Sequence, residues 1–361
     1  MRINMTDWIN FLSKLTFRRF INALKVVCSY YFSKLTKKPY HWGMPLSIAI
    51  EPTTHCNLRC PECLSGLRSF TRPTGSLEED LFRKILDELS ENLLYLNLSF
   101  QGEPYLHPEF LNMVKYAAGK GIYTSTSTNA HFLDDENAKK TVESGLDRII
   151  ISIDGTTQET YSSYRVGGDL NKVIDGTKNI IKWKKNLHSR TPHIIFQFLV
   201  IKPNELQVDD IIELGKKVGV DEVRLKTAQV YDYVHGNPLI PGIEKYSRYT
   251  PLRPSPKWRE TQGAGLPPRS KSLHIIKNKL PNYCWKLWHS CVITWDGIVV
   301  PCCFDKDAGY SMGNLKEEIK NKGSFNVIWN NKKYQDFRTS ILLSRNNIEI
   351  CCNCSEGILR I

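Results

Sequence analysis

Between residues 46 and 230 the sequence alternates short apolar, β-branched runs with longer stretches of helical periodicity. The strand-like runs are 46–51, 94–100, 122–128, 148–153, 193–201 and 222–227, and the helical patterns are 78–91, 108–120, 135–144, 171–187 and 208–218. Strands separated by helices predict βαβ units and a parallel sheet. We therefore predict an α/β fold with a partial (β/α)6 barrel of the TIM type, in which chemistry is found at the carboxyl ends of the strands.

Chemically informative residues follow four of these predicted strands. They are, in chain order, Cys56, Cys60 and Cys63; Gln101, Gly102, Glu103 and Pro104; Asn129; and Ser152 and Asp154. Each signal is weak alone, because Gly-Glu-Pro can be a turn and Ser-x-Asp-Gly is a common strand exit. Their shared position after strands predicts one site at one edge of the sheet.

Three thiols within eight residues, spaced C-x3-C-x2-C, favour an iron–sulfur cluster. Thiolates are the usual ligands of such clusters. Cys56, Cys60 and Cys63 would hold three irons of a cubane cluster and leave the fourth iron open for chemistry. A structural zinc wants four tight protein ligands, and His55 would be an awkward fourth beside Cys56. A disulfide is less favoured, because the number of thiols is odd and nothing suggests export.

Seven more cysteines lie between residues 284 and 354. Two separate clusters predict two metal sites in a reducing compartment rather than a disulfide scaffold. Asp296-Gly297 is a strong hairpin signal within the apolar run 292–301, and a helical pattern near 325–342 leads to the last cysteines. Four cysteines beside a hairpin suit iron and zinc equally well, so spacing alone leaves the metal open.

The formal net charge of +12 is concentrated at the N terminus, where residues 1–38 contain eight basic residues and one acid, Asp7. The apolar face of the helical pattern over 6–36 rotates beyond Thr16, which predicts two short helices or a bend. Two interpretations stay open: peripheral contact with an anionic membrane surface, or an apolar face packed on the body of the protein. No apolar run of 18 residues exists, so no transmembrane helix is predicted.

Residues 231–283 form a connection rich in proline, tyrosine and basic residues, with nine Lys or Arg against three Asp or Glu. We predict a partly irregular segment over the barrel mouth. It would be either a wall for an acidic or phosphorylated substrate or a solvated linker. Nucleic-acid binding is not expected, because no binding module accompanies the charge.

The cysteine motif and the other strand ends together resemble the radical S-adenosylmethionine (SAM) superfamily. Gln101-Gly102-Glu103-Pro104 is similar to its Gly-Gly-Glu-Pro motif, which contacts the methionyl amine of SAM, although the first glycine is glutamine here. Ser152 and Asp154 resemble the polar pair near the ribose. Arg165 resembles an arginine that pairs with the SAM carboxylate through a guanidinium–carboxylate fork. Asn129 is counted with these cofactor-binding residues.

The cysteine-rich tail resembles the SPASM/Twitch family of auxiliary-cluster domains. The spacing C-x9–15-G-x4-C of that family fits Cys284, Gly297 and Cys302, whereas Cys291 lies too close to Gly297. The resemblance implies one auxiliary [4Fe–4S] cluster on four thiols: Cys284, Cys302, Cys351 and Cys354. Three cysteines are left over as buried or merely adjacent thiols: Cys291, Cys303 and Cys352.

The resemblance implies an enzyme that reductively cleaves SAM to a 5′-deoxyadenosyl radical, which abstracts hydrogen from a substrate C–H bond. It implies oxidative modification of a peptide, a protein or a small molecule, electron transfer through the auxiliary cluster, and an electron donor such as flavodoxin or ferredoxin. The rival classes are a non-catalytic iron–sulfur electron carrier and a zinc-stabilised binding protein. A carrier would not need Gly102-Glu103-Pro104, Asp154 or Arg165, so we expect an enzyme.

The sequence divides into four predicted parts. These are a basic helical extension (1–44), the partial barrel (45–230), the connecting segment (231–283) and the auxiliary-cluster domain (284–361), which we expect to be a small α+β unit. Thiolate clusters need reducing conditions, which predicts a cytoplasmic protein. If the helical extension binds lipid, that protein would be peripheral at the inner membrane face.

Overall fold

The computed structural model describes residues 5–252, 274–277 and 280–354. Its strands, numbered along the chain, are β1 Ser47–Ile50, β2 Tyr95–Asn97, β3 Tyr123–Thr128, β4 Arg148–Ser152, β5 His193–Val200, β6 Glu222–Thr227, β7 Tyr249–Pro251, β8 His274–Ile276, β9 Ser290–Ile293, β10 Ile298–Val300 and β11 Gly313–Asn314. Nine strands form one sheet in the order β11-β10-β9-β1-β2-β3-β4-β5-β6. β7 and β8 form a separate antiparallel pair.

Helices alternate with β1–β6 and pack on this sheet. Those of the described residues are α1 Met5–Ser13, α2 Phe17–Thr36, α3 Leu64–Leu67, α4 Glu79–Leu89, α5 Phe110–Gly119, α6 Asp135–Glu143, α7 Gln158–Tyr164, α8 Leu170–Asn186, α9 Val208–Val218, α10 Lys286–His289, α11 Leu315–Lys320, α12 Phe325–Trp329, α13 Lys332–Ser344 and α14 Glu349–Cys352. Their apolar faces join the strands in one hydrophobic core.

β1–β6 are parallel and adjacent in sequence order. With helices between them, they form the predicted partial barrel, and the predicted fold class is confirmed. The second strand is shorter than predicted, Tyr95–Asn97 instead of 94–100. The Asn97 side chain donates to the backbone carbonyl of Ser99 at 2.7 Å, a local bond that competes with the strand ladder.

The cysteine-rich tail continues the sheet of the barrel. β9 pairs in parallel with β1, with Ser290 opposite Ser47, and β10 pairs antiparallel with β9. The predicted hairpin is therefore present. Its turn contains Gly297 at φ +88°, a conformation that glycine adopts without steric cost. The sheet crosses the predicted boundaries between barrel and tail, and the division into four parts stays a prediction.

The N-terminal helices lie across the amino ends of the barrel strands. Thr16 separates them and caps α2 by accepting a hydrogen bond from the Arg19 backbone N–H, so the predicted break is present. Asp7 in α1 contacts Tyr123 and Arg148, which begin β3 and β4. Among the described helices none combines the length and apolarity needed to cross a bilayer.

Candidate active site

The three thiols of the C-x3-C-x2-C motif lie together in the loop after β1. Cys60 is buried, Cys56 and Cys63 are half-buried, and Leu58 and Tyr164 belong to the apolar cluster around them. Burial raises the pKa of Cys56 to about 11 and also raises the pKa of Cys60. Metal ligands must be deprotonated, so metal binding overcomes such a rise by stabilising the thiolate.

Three thiols that lie together are a donor set of the kind that iron–sulfur clusters use. In the described part of the chain no three His, Cys, Asp or Glu side chains are arranged to hold one metal ion. In a structural zinc site each sulfur ligand lies about 2.3 Å from the same zinc ion. A [4Fe–4S] cluster instead offers each thiolate its own iron, so neighbouring thiols need not converge.

A buried ion pair holds the cysteine loop at both ends. Glu51 follows β1 directly, and Arg72 lies beyond the last cysteine of the motif. The guanidinium donates Nη1 to Oε2 at 2.9 Å and Nη2 to Oε1 at 2.7 Å, and the Trp295 N–H donates to the same carboxylate at 3.3 Å. Losing one partner of such a pair leaves an uncompensated buried charge. The pair therefore fixes the loop against the hairpin of the tail.

Gly102 lies against the start of the cysteine loop. Its φ is +74°, and a Cβ at this position would lie 2.2 Å from the Thr53 carbonyl oxygen, so only glycine fits. The Gly102 N–H donates to the Ser65 hydroxyl at 2.8 Å. The neighbouring Gln101 replaces the glycine of the family motif, and its Oε1 lies 3.8 Å from the Cys63 sulfur. The motif thus packs on the loop that carries the thiols.

Glu103 joins the ends of β2 and β3. One carboxylate oxygen accepts from the Thr128 hydroxyl and the other from the Asn129 N–H, both at 2.7 Å. The Asn129 side chain in turn donates to Asn57 of the cysteine loop at 2.7 Å. Burial raises the pKa of Glu103 to about 7, against the effect of these hydrogen bonds. Pro104 follows as the first residue of a short 3₁₀ turn.

Arg165 lies over the thiols and is held by Asp154. Its Nε donates to Asp154 Oδ2 at 2.6 Å, and its Nη1 lies 3.8 Å from the Cys60 sulfur. The other Asp154 oxygen accepts from the Leu199 N–H at 2.7 Å. Burial opposes the charge of Arg165, but Asp154 and Cys60 outweigh it and raise the pKa. Both Asp154 oxygens are thus engaged within the protein, so its first role here is to position Arg165.

The predicted site residues differ in how directly they reach the thiols. Hydrogen bonds or close contacts join five of them to the cysteine loop: Gln101, Gly102, Glu103, Asn129 and Arg165. Asp154 acts through Arg165. Ser152 ends β4 and is buried, but among the described residues no hydrogen bond joins it to the loop.

Sequence reasoning missed three polar residues inside the cysteine loop: Asn57, Glu62 and Ser65. The Glu62 carboxylate accepts from the Tyr231 N–H at 2.8 Å and from the Asn237 side chain at 3.3 Å, so the connecting segment is tied to the loop. The one sequence signal for these residues is that they lie between or directly after the three cysteines of the motif.

Three of the four cysteines predicted for the tail site, Cys284, Cys351 and Cys354, interact with Arg345. Its guanidinium is buried and donates Nη2 to the Cys354 sulfur at 3.4 Å. Burial opposes its charge, but Cys284, Cys354 and Cys351 outweigh it and raise the pKa of Arg345. Cys302 in turn interacts electrostatically with Cys284. Arg345 was not predicted, because nothing local distinguishes it from a surface arginine.

The three remaining cysteines are not in the predicted ligand set, although Cys303 interacts electrostatically with Cys302. Cys291 is fully buried in β9, and burial raises its pKa. The Cys303 sulfur lies 3.1 Å from the Lys286 ammonium. Cys352 is exposed, and its thiol donates to the Asn346 carbonyl at 3.2 Å. Each of these thiols thus has a local environment of its own within the protein.

Comparison with known families decides between the classes left open by the residues. Residues 50–214 match the family described as the radical SAM superfamily, and residues 284–355 match SPASM, described as an iron–sulfur cluster-binding domain. The chain belongs to the radical SAM superfamily. It is an enzyme with a [4Fe–4S] cluster and SAM as cofactors, and its SPASM domain binds an auxiliary iron–sulfur cluster.

Several proteins of known role resemble this radical SAM chain. The tungsten-containing aldehyde ferredoxin oxidoreductase cofactor-modifying protein of Pyrococcus furiosus is 27% identical over 345 residues, which cover 85% of this chain and 86% of that protein. PqqA peptide cyclase of Bradyrhizobium diazoefficiens is 26% identical over 305 residues, with coverage of 81% and 74%. SuiB of Streptococcus suis bound to SAM has a TM-score of 0.59 at 14% identity, covering 89% of this chain and 74% of SuiB. SuiB has also been solved with its precursor peptide SuiA.

Two lysines of this radical SAM enzyme feel the charge of its cysteines. Burial lowers the pKa of Lys306, whereas Cys63 and Cys303 raise it, so this ammonium lies within the electrostatic field of one thiol from each cysteine-rich segment. Desolvation and the nearby cations Arg224 and Lys286 lower the pKa of Lys226, although Cys303 raises it. Cations that disfavour one another in this way are stabilised by an anionic neighbour. The two ammonium groups therefore add positive charge near Cys63 and Cys303.

Proposed function

We propose that this radical SAM enzyme oxidatively modifies a peptide or protein substrate that carries an acidic group. In this proposal Cys56, Cys60 and Cys63 hold the SAM-binding cluster. The auxiliary cluster is held by four thiols of the tail: Cys284, Cys302, Cys351 and Cys354. The observation that carries the proposal is the contact of Arg165 with both Asp154 and Cys60. It puts a carboxylate-binding cation directly beside the thiols.

The protein's own residues bind and orient the cofactor. In the described part of the chain, Nη2 of Arg165 has no hydrogen-bond partner, so it is available to the carboxylate of SAM. Gly102 allows the motif to pack on the cysteine loop, and Glu103 holds Asn129 against the same loop. When bound, the cluster and SAM supply a radical that takes hydrogen from a substrate C–H bond, and the auxiliary cluster accepts the electron.

Two observations support a peptide as the substrate class. A relative that covers most of this chain is named as a peptide cyclase, and structures of similar fold have been solved with bound peptides. The positive charge near Cys63 and Cys303 adds a preference for acidic side chains. A second candidate is a cofactor-like small molecule, because the relative from Pyrococcus furiosus is named as a cofactor-modifying protein.

We further propose that flavodoxin or ferredoxin supplies the electron and that the enzyme works in the cytoplasm. Eleven free cysteines and no disulfide among the described residues accord with a reducing compartment. Contact of residues 1–38 with the inner membrane face is also a proposal, with separate grounds given below.

Anaerobic reconstitution tests the assignment of the thiols. The reconstituted protein, supplied with SAM and dithionite, is expected to release 5′-deoxyadenosine, and Cys60→Ala is expected to abolish the release. Cys352→Ala is the matched control, because that thiol is exposed and outside both groups. Release that survives Cys60→Ala, or no release from the unaltered protein, would contradict the assignment.

Paired synthetic peptides test the substrate class. Two libraries of deuterated peptides are incubated with the enzyme. They have the same sequences except at fixed positions, where one library has aspartate and the other has lysine. We expect deuterium to appear in 5′-deoxyadenosine from the acidic library and not from the basic one. Lys306→Met is expected to reduce this preference while SAM cleavage without peptide continues. Equal transfer from both libraries would refute the acidic preference, and transfer from neither would favour the small-molecule candidate.

A further inference from the structure

The N-terminal helices dock on the barrel through polar side chains. In α2 the buried face contains four polar residues, Arg19, Asn22, Ser29 and Ser33, beside two apolar ones, Val26 and Tyr30, and in α1 the buried residue is Asp7. Arg19 donates to the carbonyl oxygens of Ser90 and Lys120 at 2.9 and 3.1 Å, and Asn22 donates to that of Met44 at 3.0 Å. This arrangement reverses the usual one, in which a surface helix turns its apolar stripe to the core.

Most large apolar side chains of these helices are exposed, apart from the buried Val26 and Tyr30. Twelve of the 25 large apolar side chains exposed in the described residues fall within 5–44, so the exposure is concentrated in this segment. In α2 the outward stripe follows the helical repeat, with spacings of three, four or seven residues: Phe17, Phe20, Leu24, Tyr31 and Leu35. Phe17 and Leu35 are 79% and 81% exposed. In α1 the matching residues are Met5, Trp8, Ile9 and Leu12, which are 70%, 47%, 61% and 52% exposed.

The exposed charged residues that α2 and the residues directly after it contribute to the border of this apolar surface are basic. Lys25, Lys37 and Lys38 are exposed, and Arg18 is exposed beside Glu91. The one acid of residues 1–38, Asp7, is buried against the barrel. At 3.6 residues per turn, Lys25 and Arg18 flank the stripe of α2 on one side. The surface therefore combines a broad apolar centre with a cationic edge.

We propose that α1 and α2 form a surface that binds the interface of an anionic lipid bilayer. A helix that lies in the interface buries an apolar face among the acyl chains and directs basic residues to anionic headgroups. Both features are present on α2 and the residues directly after it, and α1 adds exposed apolar side chains. A second copy of this chain is disfavoured as the occupant, because a two-fold interface would bring the same cations face to face.

Vesicle flotation of the full-length, reconstituted enzyme tests this proposal. The probes are vesicles of phosphatidylcholine alone and of phosphatidylcholine with phosphatidylserine. We expect binding to the anionic vesicles that weakens as salt is raised. Lys25→Glu with Lys38→Glu is expected to weaken binding at least about 25-fold, because each basic residue contributes a factor of about five. Replacing Phe17, Leu24 and Leu35 with serine is expected to weaken it at least about a hundredfold.

The control replaces exposed apolar residues far from the two helices. Leu206, Val327 and Leu343 are 84%, 53% and 61% exposed, and their triple serine variant is expected to bind vesicles like the unaltered protein. Thermal unfolding and 5′-deoxyadenosine release check that every variant is folded, and their outcome is independent of lipid binding.

Three outcomes would overturn the proposal. They are no flotation of the unaltered protein with anionic vesicles, equal loss in the control variant, and a stable dimer in size-exclusion chromatography that the serine variant of α2 abolishes. The last outcome would assign the surface to a second copy of the chain.

Discussion

The buried carboxyl of Glu103 predicts a pH dependence of stability. Burial raises its pKa from 4.5 to about 7, although hydrogen bonds from Asn129, Thr128 and Tyr105 oppose the rise. Between these values the folded protein retains a proton that the unfolded chain has released. Stability is therefore highest below about pH 4.5 and is lost as the pH rises toward 7. The folded and unfolded pKa values of this carboxyl, about 7 and 4.5, differ enough to lower the free energy of unfolding by about 3 kcal/mol, because a pKa difference of one corresponds to about 1.36 kcal/mol.

Glu103→Gln isolates this contribution, because an amide cannot ionise. Urea denaturation of the metal-free protein, followed by tryptophan fluorescence between about pH 4.5 and 8, gives the free energy of unfolding of each variant. We expect the variant to gain about 3 kcal/mol relative to the unaltered protein across this range. Loss of the Asn129 hydrogen bond adds a pH-independent cost of about 1–3 kcal/mol.

Glu143→Gln is the control for this measurement, since Glu143 lies exposed on α6. Its free energy of unfolding is expected to follow that of the unaltered protein at every pH. A difference between Glu103→Gln and the unaltered protein that stays constant with pH would refute the reasoning. It would mean that hydrogen bonds hold Glu103 ionised despite its burial.

Three further changes test other contacts of the two sites. Gly102→Ala is expected to lower both the thermal midpoint and the iron content after reconstitution, whereas Gly119→Ala, where a Cβ meets nothing within 4 Å, should change neither. Arg72→Leu leaves Glu51 buried without its partner and is expected to cost about 3–5 kcal/mol in urea denaturation; a loss below about 1 kcal/mol would contradict the role given to this pair. Arg345→Met removes a cation beside the auxiliary thiols and is expected to lower the midpoint potential of that cluster in a redox titration followed by electron paramagnetic resonance. An unchanged potential would separate Arg345 from the cluster.

The barrel was predictable because its signals are local. Alternation of β-branched runs with helical periodicity depends on neighbouring residues, and it located β1–β6 to within a few positions. The strand ends then indicated which polar residues share an edge, since carboxyl ends of parallel strands lie on one side of a sheet. Gly102 was found in this way, whereas Arg165, at the end of α7, was found only through the resemblance to the family.

Contacts between distant parts of the chain were not predictable. The pairing of β1 with β9 joins residues more than 200 positions apart, and no local pattern announces it. The same holds for Arg345, whose role depends on thiols before and after it in sequence. For α1 and α2 the sequence showed apolar and polar faces but left open which one is buried. Which face is buried depends on the barrel groups that hydrogen-bond to Asp7 and Arg19.

The placement of α1 and α2 at the amino ends of the strands determines how a substrate reaches a membrane-bound form of this enzyme. The cysteine loop and Arg165 lie at the opposite, carboxyl ends, separated from the helices by the length of a strand, about 20 Å for the six residues of β3. With the helices resting on lipid, the barrel mouth would open toward water. Acyl chains could not enter it from the bilayer, so the anchor would set where the enzyme works while substrates arrive by diffusion from the aqueous side.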